Sequence, residues 1–497
     1  MTRWQRYWFA PGSRQALASL RIAIAIALGL TLWLIGTGPD EVDRAARARL
    51  YHPVGLLHLL GGAPPPAALL AALQAIAWTA VAAMLVGYRA RAATGIAVVA
   101  AILLAAHAEA FTPSWSHTLN APLLAGVALL GARTGEAYAI DAWLAARRGA
   151  VATDPLTVAP LRRVQLAVGL MFASAALIKL ASSHFTLDWA LSDNLRNQIV
   201  ARFDMQGARH TAAADWLLAA PWRWQLAALF NLACQLSPLV AIASPGRPRL
   251  RAVCGGLFVM EVLLLGIVMG LWNPQWLPLA AAFVDWDWVR ARRPVGPIAV
   301  AAPTRGARIW AAAFALVLVT TSLAPAALSQ RLWLYPCTNY PMFSSIRAAH
   351  PYGEHLPYRT VGQQIEVLID PPLTSAQQDR IDGENVYRRF FRLRDPAALR
   401  DALAVIVGDA HVRYPQAAIR GARLWLVEQT VPAYPAVARV ESRRIGVVAE
   451  LDGDAFRTVP GTIPGTPPEH LVVAGEAVTV TTVVDARGVA RAFAQIE

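Results

Sequence analysis

The chain has 497 residues, of which 56% are hydrophobic and only 15% charged, whereas soluble domains carry about 25% charged residues. The apolar excess lies in long runs within the first two thirds of the chain, which excludes a soluble enzyme and is typical of membrane spans. The net charge of +13 comes from short arginine clusters between these runs, so it indicates membrane topology and not nucleic-acid binding. The cysteines at 234, 254 and 337 cannot form a disulfide framework.

Nine apolar runs predict membrane-spanning helices, two of which (His117–Ala132 and Pro274–Trp288) are short enough to be partly re-entrant. In chain order the nine runs are Ala16–Ile35, Ala67–Tyr88, Ala93–Ala110, His117–Ala132, Val164–Ala181, Leu226–Ala243, Val253–Trp272, Pro274–Trp288 and Ile309–Leu328.

The arginine distribution predicts the orientation of these spans. With nine spans, the arginine clusters all fall on one side, the cytoplasm, and an eight-span arrangement would break this alternation. We therefore expect a multi-pass protein of the bacterial inner membrane with a cytoplasmic N-terminus and no cleavable signal peptide. The clusters lie near the N-terminus (Arg3, Arg6 and Arg14), at Arg89 and Arg91, within 133–163, within 247–251 and within 290–308.

The C-terminal region, 331–497, has the composition of a soluble fold. A helix is predicted with Asp395 as N-cap, Pro396 at its first position and Gly408 as its end. The fold class is thus an all-α polytopic membrane domain, 1–330, followed by a small, mostly-β extracytoplasmic domain that acts as a lid or docking module. Its predicted strands are Gln364–Ile369, Val386–Leu393, Ala422–Thr430, Ala436–Val448 and Ala477–Val484.

The chain contains a single lysine, Lys179, near the outer end of the fifth predicted span. The 45 Lys and Arg residues minus this one leave 44 arginines. A basic residue at this depth can be a snorkelling anchor, but arginine would serve that purpose equally well. Unlike arginine, a desolvated lysine can act as a free amine. Because ionisable groups inside a membrane are costly, the pattern favours a proton-transfer or Schiff-base role.

Two further polar residues lie at the same predicted membrane face as Lys179. His117 is at the outer start of the fourth span, with Asn120 one helical turn away. An interfacial histidine is the simpler structural explanation, and a role in the site is the functional one.

Three further polar residues inside predicted spans are candidates for pairing or anchoring. Glu261 in the seventh span is a lone carboxylate that should be protonated or paired, with Arg21 or Lys179 as candidate partners. Gln235 in the sixth span is predicted to form a hydrogen bond between helices. Arg21, at the inner end of the first span, is interpreted as a snorkelling anchor. No spacing of residues indicates a metal site.

At these positions the sequence is similar to a known group. It resembles the horizontally transferred transmembrane (HTTM) domain of the vitamin K-dependent γ-carboxylase superfamily, over about residues 10–345. The order and the membrane placement of the similar segments agree with that domain. These segments are Trp115–His117, Asn120–Leu124, Ala176–Leu180, Asp188–Trp189, Asn339–Ser344 and the early Arg21.

The resemblance implies a membrane enzyme that uses a lipid quinol. In the carboxylases, a lysine at the position matching Lys179 is taken to deprotonate a vitamin K hydroquinone, and a histidine near His117 assists. Oxygenation of the quinol yields a strong base that removes a γ-proton from peptide glutamate, and carbon dioxide adds to the carbanion. Asn120, Trp189 and Glu261 are the candidate substrate-binding residues, and the expected partners are the lipid bilayer, a lipid quinol and an extracytoplasmic protein or peptide substrate. A dry site at the membrane edge would admit a quinol sideways and exclude water from the base.

The sequence also departs from the group. Glu261 stands where many HTTM proteins carry a histidine. The C-terminal region is much shorter than that of animal carboxylases, which puts propeptide recognition in doubt. Most bacterial members have no established reaction, so γ-carboxylation is one candidate among others.

Two functions from different classes follow. The first is a membrane enzyme acting on a lipid quinol or another amphipathic substrate, with Lys179 as general base and His117 orienting substrate or stabilising an oxyanion. The alternative is a non-enzymatic membrane binding, transport or assembly protein in which Lys179 binds an anionic headgroup. A channel is disfavoured because the sequence has no ring of like charges.

Overall fold

A computed structural model describes residues 3–36, 51, 53–110, 117–149, 156–205, 210–290, 304–323, 355–370, 396–436, 438–458, 469–473, 476–484 and 490–496. The part up to residue 323 is helical, apart from a short pairing of β1 (Pro11–Gly12) with β2 (Leu156–Thr157). Its helices are α1 (Arg3–Phe9), α2 (Arg14–Gly36), α3 (Ala67–Val86), α4 (Ala90–Glu109), α5 (Asn120–Ala128), α6 (Ile140–Arg147), α7 (Ala159–Ser182), α8 (Asp188–Leu191), α9 (Asn194–Val200), α10 (Ala212–Leu218), α11 (Pro221–Ala243), α12 (Pro248–Met269), α13 (Trp286–Arg290) and α14 (Arg305–Leu323).

Within the described residues, six helices are long and apolar enough to cross a membrane: α2, α3, α4, α7, α11 and α12. Each has 20 to 24 residues, which at a rise of 1.5 Å per residue corresponds to the roughly 30 Å of a bilayer core. They coincide with predicted spans one, two, three, five, six and seven, so these helices make the chain a multi-pass membrane protein by length and composition.

The other three predicted spans correspond to different elements. Span four contains the 3₁₀ turn His117–Leu119 and the nine-residue α5, and span eight contains the 3₁₀ helix Pro274–Ala282. The internal Pro278 of that 3₁₀ helix lacks a backbone donor, which disfavours a regular α-helix. Span nine overlaps α14, which has 19 residues. The nine-span topology, and with it the side on which the C-terminal region lies, stays a prediction.

Helices α7, α11 and α12 pack as an antiparallel trio. Asn231 of α11 contacts Glu261 of α12, whereas Ser237, further along α11, donates to the carbonyl of Cys254, earlier in α12. Gly169 allows α7 and α11 to approach closely, because a Cβ there would lie 2.5 Å from Cδ1 of Ile242. Helices α7 and α12 therefore run in the same direction, with α11 between them in the opposite one.

The described residues of the C-terminal part form two antiparallel sheets and one helix, α15 (Pro396–Arg413). Three predicted strands fall inside β3, β4 and β8, while the predicted strand Val386–Leu393, the N-cap Asp395 and Cys337 lie outside the described residues. The first sheet has the order β3 (Tyr358–Asp370), β4 (Ala418–Val431), β5 (Glu441–Asp452) and β6 (Ala455–Thr458), and the second β7 (Glu469–Val473), β8 (Glu476–Val484) and β9 (Ala490–Ile496).

Two predicted boundaries in this part were wrong. Helix α15 continues through Gly408 to Arg413, because Ala410 beyond the glycine is buried against Val367 and Ile419 of the sheet. This packing outweighs the cost of about 1 kcal/mol for a glycine inside a helix. Strand β5 begins at Glu441 and not at Ala436, because the preceding segment contacts the membrane part of the chain, as described below.

A cross-strand ionic cluster stabilises the first sheet. Glu450 of β5 is paired in register with Arg423 of β4 and with Arg457 of β6. It accepts hydrogen bonds from Nε of Arg423 at 3.0 Å and from Nε of Arg457 at 2.9 Å. Burial alone would raise the pKa of Glu450, but the hydrogen bonds and charges of the two arginines outweigh it and hold the pKa below its ordinary value.

This depressed pKa predicts an acid-sensitive sheet. A carboxyl group whose pKa is lowered on folding contributes stability above its unfolded pKa, and the contribution is lost as pH falls through the folded pKa. Glu450→Gln should therefore cost about 1–2 kcal/mol at pH 7, since the exposed Arg457 is partly screened by solvent. The difference from wild type should begin to shrink below the ordinary value of 4.5 and should vanish once the pH is below the lowered pKa of the folded state. Hydrogen exchange of the backbone amides of β4 and β5 in the full chain measures this loss of stability. The exposed-site variant Glu441→Gln is the control at each pH. A loss that persists unchanged in acid would contradict the ionic origin.

Candidate functional site

Lys179 lies in the last turn of α7 and is 1% exposed. Its Nζ donates to Oδ1 of Asn231 at 2.7 Å and to Oε1 of Gln235 at 2.9 Å. Both acceptors lie on α11, one helical turn apart. A buried ammonium or amine requires such acceptors, because an unsatisfied polar group in an apolar environment is costly.

Glu261 of α12 lies on the other side of the same two amides and is 2% exposed. Its Oε1 accepts from Nδ2 of Asn231 at 2.6 Å and from Nε2 of Gln235 at 2.9 Å. Each amide therefore accepts from the lysine with its oxygen and donates to the glutamate with its nitrogen. We call these four residues, Lys179, Asn231, Gln235 and Glu261, the lysine–glutamate network.

The network links a basic and an acidic group across three helices. The ionised pair has no net charge and neither has the neutral pair, so either form avoids an uncompensated buried charge. The hydrogen-bond directions suit both forms, since a neutral amine still has two N–H donors and a protonated carboxyl still has an acceptor oxygen. The geometry thus permits Lys179 to gain or lose a proton without rearrangement of the two amides.

Trp189 of α8 covers the lysine from another direction. Its ring is 1% exposed, and Nζ of Lys179 lies 4.5 Å from the ring centroid. An ammonium over the face of an indole is attracted by the ring quadrupole. The predicted substrate-binding residues Trp189 and Glu261 therefore both lie beside Lys179, although Glu261 is linked through amides and not by direct contact.

Asn231 was missed by the sequence analysis. The signal was present: Asn231 precedes Gln235 by four residues in an apolar span, which places the two side chains on one face of the helix. Gln235, predicted only to join two helices, bridges α7 and α12 from its position on α11.

Of the other two predicted site residues, the structure describes Asn120 with its side chain and His117 by its backbone only. Asn120 is fully buried in the first turn of α5, which packs against α7. His117 begins the short 3₁₀ turn before α5, but its side chain lies outside the described part of the structure. The proximity of His117 to Lys179 therefore stays a prediction.

Arg21 does not snorkel to headgroups. Its side chain is fully buried in α2 and donates to the carbonyls of Thr134 and Tyr138, each at 2.7 Å. Nη1 also lies close to Gly87, where an added Cβ would be 2.7 Å away. Arg21 thus holds the connections between neighbouring helices together. Of the two candidate partners of Glu261, Arg21 is therefore wrong, and Lys179 is linked to Glu261 through the two amides.

A segment of the C-terminal part contacts the helices next to this site. His355 Nδ1 lies 2.9 Å from the carboxylate of Asp193, which precedes α9. The ring of Tyr434 packs edge-on against Trp224 of α11 at 5.6 Å, and Arg196 of α9 donates to the carbonyl of Ala436 at 3.4 Å. These contacts tie the C-terminal part to α9 and to the start of α11, two turns before Asn231.

No family model, curated protein or solved structure matches the chain. The resemblance to HTTM proteins therefore rests on the sequence segments quoted above.

Proposed function

We propose that this protein is a membrane-embedded enzyme that transfers a proton from a lipid-soluble, weakly acidic substrate to Lys179. The observation that carries the proposal is the lysine–glutamate network, in which a buried amine is paired with a buried carboxyl through two amides. Buried acid–base pairs of this kind are typical of proton-transfer sites.

The hydrogen bonds leave one position on Nζ for a substrate proton. Two N–H groups of a neutral Lys179 are used by Asn231 and Gln235. The remaining lone pair is the base, and after proton transfer it becomes the third N–H of the ammonium. The carboxylate of Glu261 and the face of Trp189 stabilise that ammonium.

The residues suit a vitamin K-type hydroquinone as the substrate class. Such a group would supply an acidic phenolic O–H to the base. The indole of Trp189 offers an aromatic face beside Nζ, and Asn231, unlike the fully buried Gln235, is only half-buried. Asn231 is therefore the amide of the network that a substrate would reach first.

Binding of an anionic headgroup by Lys179 is the weaker candidate. The carboxyl of Glu261 already balances the lysine charge through the two amides, and Nζ is buried. A headgroup would have to displace this internal counter-charge and pay its desolvation.

A bound quinone is the direct test. We expect solvent extracts of the purified full-length protein to contain about one quinone or quinol per chain, detectable by mass spectrometry. Trp189→Leu should lower this content about two- to tenfold, since an aromatic contact contributes about 0.5–1.5 kcal/mol. Trp222→Leu, at an indole of α11 that is 57% exposed, is the matched control and should retain the quinone. Quinone content no higher than that of an unrelated membrane protein purified in parallel would refute the proposed substrate class.

A further inference from the structure

The opposite ends of α7 and α12 carry a second buried charged cluster. The two helices begin side by side in the antiparallel trio, and the fourth residue of each is an arginine, Arg162 in α7 and Arg251 in α12. Both are nearly buried, at 6% and 3% exposure. Arg162 precedes Lys179 by 17 residues, so this cluster lies about 25 Å from the lysine–glutamate network along the helix axis.

Each guanidinium uses only part of its donor set. Nη1 of Arg251 donates to Asp285 at 3.1 Å, and Nη1 of Arg162 donates to Gln165 at 2.8 Å. Nε and Nη2 of Arg251 and Nε of Arg162 are buried and have no hydrogen-bond partner among the described residues. Nε and Nη2 lie on the same edge of the guanidinium plane, which is the edge that binds two oxygens of a phosphate or carboxylate at once.

The two arginines converge on Tyr7 of α1. The Arg162 guanidinium lies 4.9 Å from the centre of the Tyr7 ring, and the Tyr7 hydroxyl donates to the carbonyl of Ile242 at the end of α11. Burial raises the pKa of Tyr7, and the charges of both Arg162 and Arg251 are near enough to act against that rise. Both arginines therefore lie near Tyr7, where α1 meets the first turns of α7 and α12.

Within the part of the chain that the structure describes, the acidic groups near the two arginines leave the free donors of both guanidiniums unpaired. Asp285 is within electrostatic reach of both arginines, and the exposed Asp287 is within reach of Arg251, but Asp285 hydrogen-bonds only one nitrogen of Arg251. Arg163, next in sequence to Arg162, is directed elsewhere, since it donates to the carbonyl of Ala128 and stacks near Trp310. The N-terminal ends of α7 and α12 add their positive dipole ends to the two guanidinium charges.

We propose that Arg162 and Arg251 form a binding site for the phosphate group of an anionic phospholipid. The free edge of Arg251 would bind two phosphate oxygens, and Nε of Arg162 a further oxygen. The placement at the ends of two membrane-length helices is the depth of lipid headgroups. Trp8 and Phe9 of α1, buried against Ala159 and Ala311, position α1 and its tyrosine beside the site. This site is separate from the proposed reaction at Lys179.

The test uses the delipidated full-length protein in a neutral detergent, with phosphatidylglycerol and inorganic phosphate as separate probes. Thermal stability and native mass spectrometry report binding. We expect phosphatidylglycerol to bind and stabilise, and both Arg251→Gln and Arg251→Lys to weaken its affinity about tenfold or more, because lysine keeps the charge but lacks the two-donor edge. Arg249→Gln, an exposed arginine of the same helix turn, should change the affinity less than twofold.

Several results would overturn the proposal. An unchanged affinity of Arg251→Gln for phosphatidylglycerol would contradict it. An equal loss of affinity in Arg249→Gln and Arg251→Gln would also contradict it, because it would indicate that diffuse surface charge binds the lipid. Equal stabilisation by inorganic phosphate would assign the site to a soluble phosphate compound instead of a lipid. If Arg251→Gln does not fold, Arg162→Gln carries the same expectation. Asp285→Asn should leave the affinity for the lipid unchanged or increase it. If the Arg251–Asp285 pair is purely structural, Asp285→Asn and Arg251→Gln should instead lower the thermal stability equally and leave the affinity for the lipid unchanged.

Discussion

Lys179→Arg is expected to lower turnover of a vitamin K-type hydroquinone by about 10²–10⁴-fold, the usual contribution of a positioned general base. Arginine keeps the positive charge and can still donate to Asn231 and Gln235, but it does not release a proton at accessible pH. The loss would therefore report the acid–base function of Lys179 and not its charge. Consumption of the quinol by the full-length protein in lipid nanodiscs, followed spectroscopically under oxygen, is the measurement.

The matched control is the opposite exchange, Arg223→Lys. Arg223 is partly exposed on α11 and lies over the rings of Trp216 and Trp222, away from the lysine–glutamate network. We expect its turnover to stay within about twofold of wild type, since exposed charge substitutions have small effects. Turnover in Lys179→Arg within threefold of wild type would exclude the general-base role and favour the binding, transport or assembly alternative.

Removing either end of the lysine–glutamate network should destabilise the protein strongly, and removing both ends much less. Lys179→Met leaves Glu261 buried without its basic partner, and Glu261→Met leaves Lys179 without its acidic one. Each change should cost about 3–5 kcal/mol, the loss typical of breaking a buried ion pair. In the double variant no buried charge remains, so the cost should fall to about 1–2 kcal/mol.

The measurement is a double-mutant cycle on thermal inactivation half-lives in detergent, because large membrane proteins unfold irreversibly and their stability is then a rate. Thr94→Val serves as the control, because Thr94 is buried in α4 and its hydroxyl bonds only within its own helix. Losses that simply add in the double variant would show that Lys179 and Glu261 act independently, and would remove the coupling on which the proposed function depends.

Much of the membrane part could be predicted because its signal is local. Apolar runs of 20 residues specify spanning helices through composition, and a lone lysine or glutamate within such a run stands out without knowledge of its neighbours. The partners could not be predicted in the same way. Asn231 and Gln235 are ordinary polar residues until α7, α11 and α12 pack so that both amides lie between Lys179 and Glu261.

Boundaries controlled by packing were the weakest part of the prediction. Gly408 has the chemistry of a helix end, yet Ala410 continues α15 because it is covered by the sheet. Arg21 has the chemistry of an interfacial anchor, yet its guanidinium is enclosed by the carbonyls of Thr134 and Tyr138. In both cases the deciding contacts come from residues distant in sequence.

The sequence by itself determined that this is a helical membrane protein with one lysine inside a span and one glutamate inside another. That information is contained in hydropathy and residue type, which depend on each residue and its near neighbours. Only the tertiary structure decided that Lys179 and Glu261 share two amides, and that Arg162 and Arg251 converge on Tyr7 at the other end of the same helices. Hydrogen bonds and electrostatic pairing act over a few ångströms, so they are specified by helix packing and not by position along the chain.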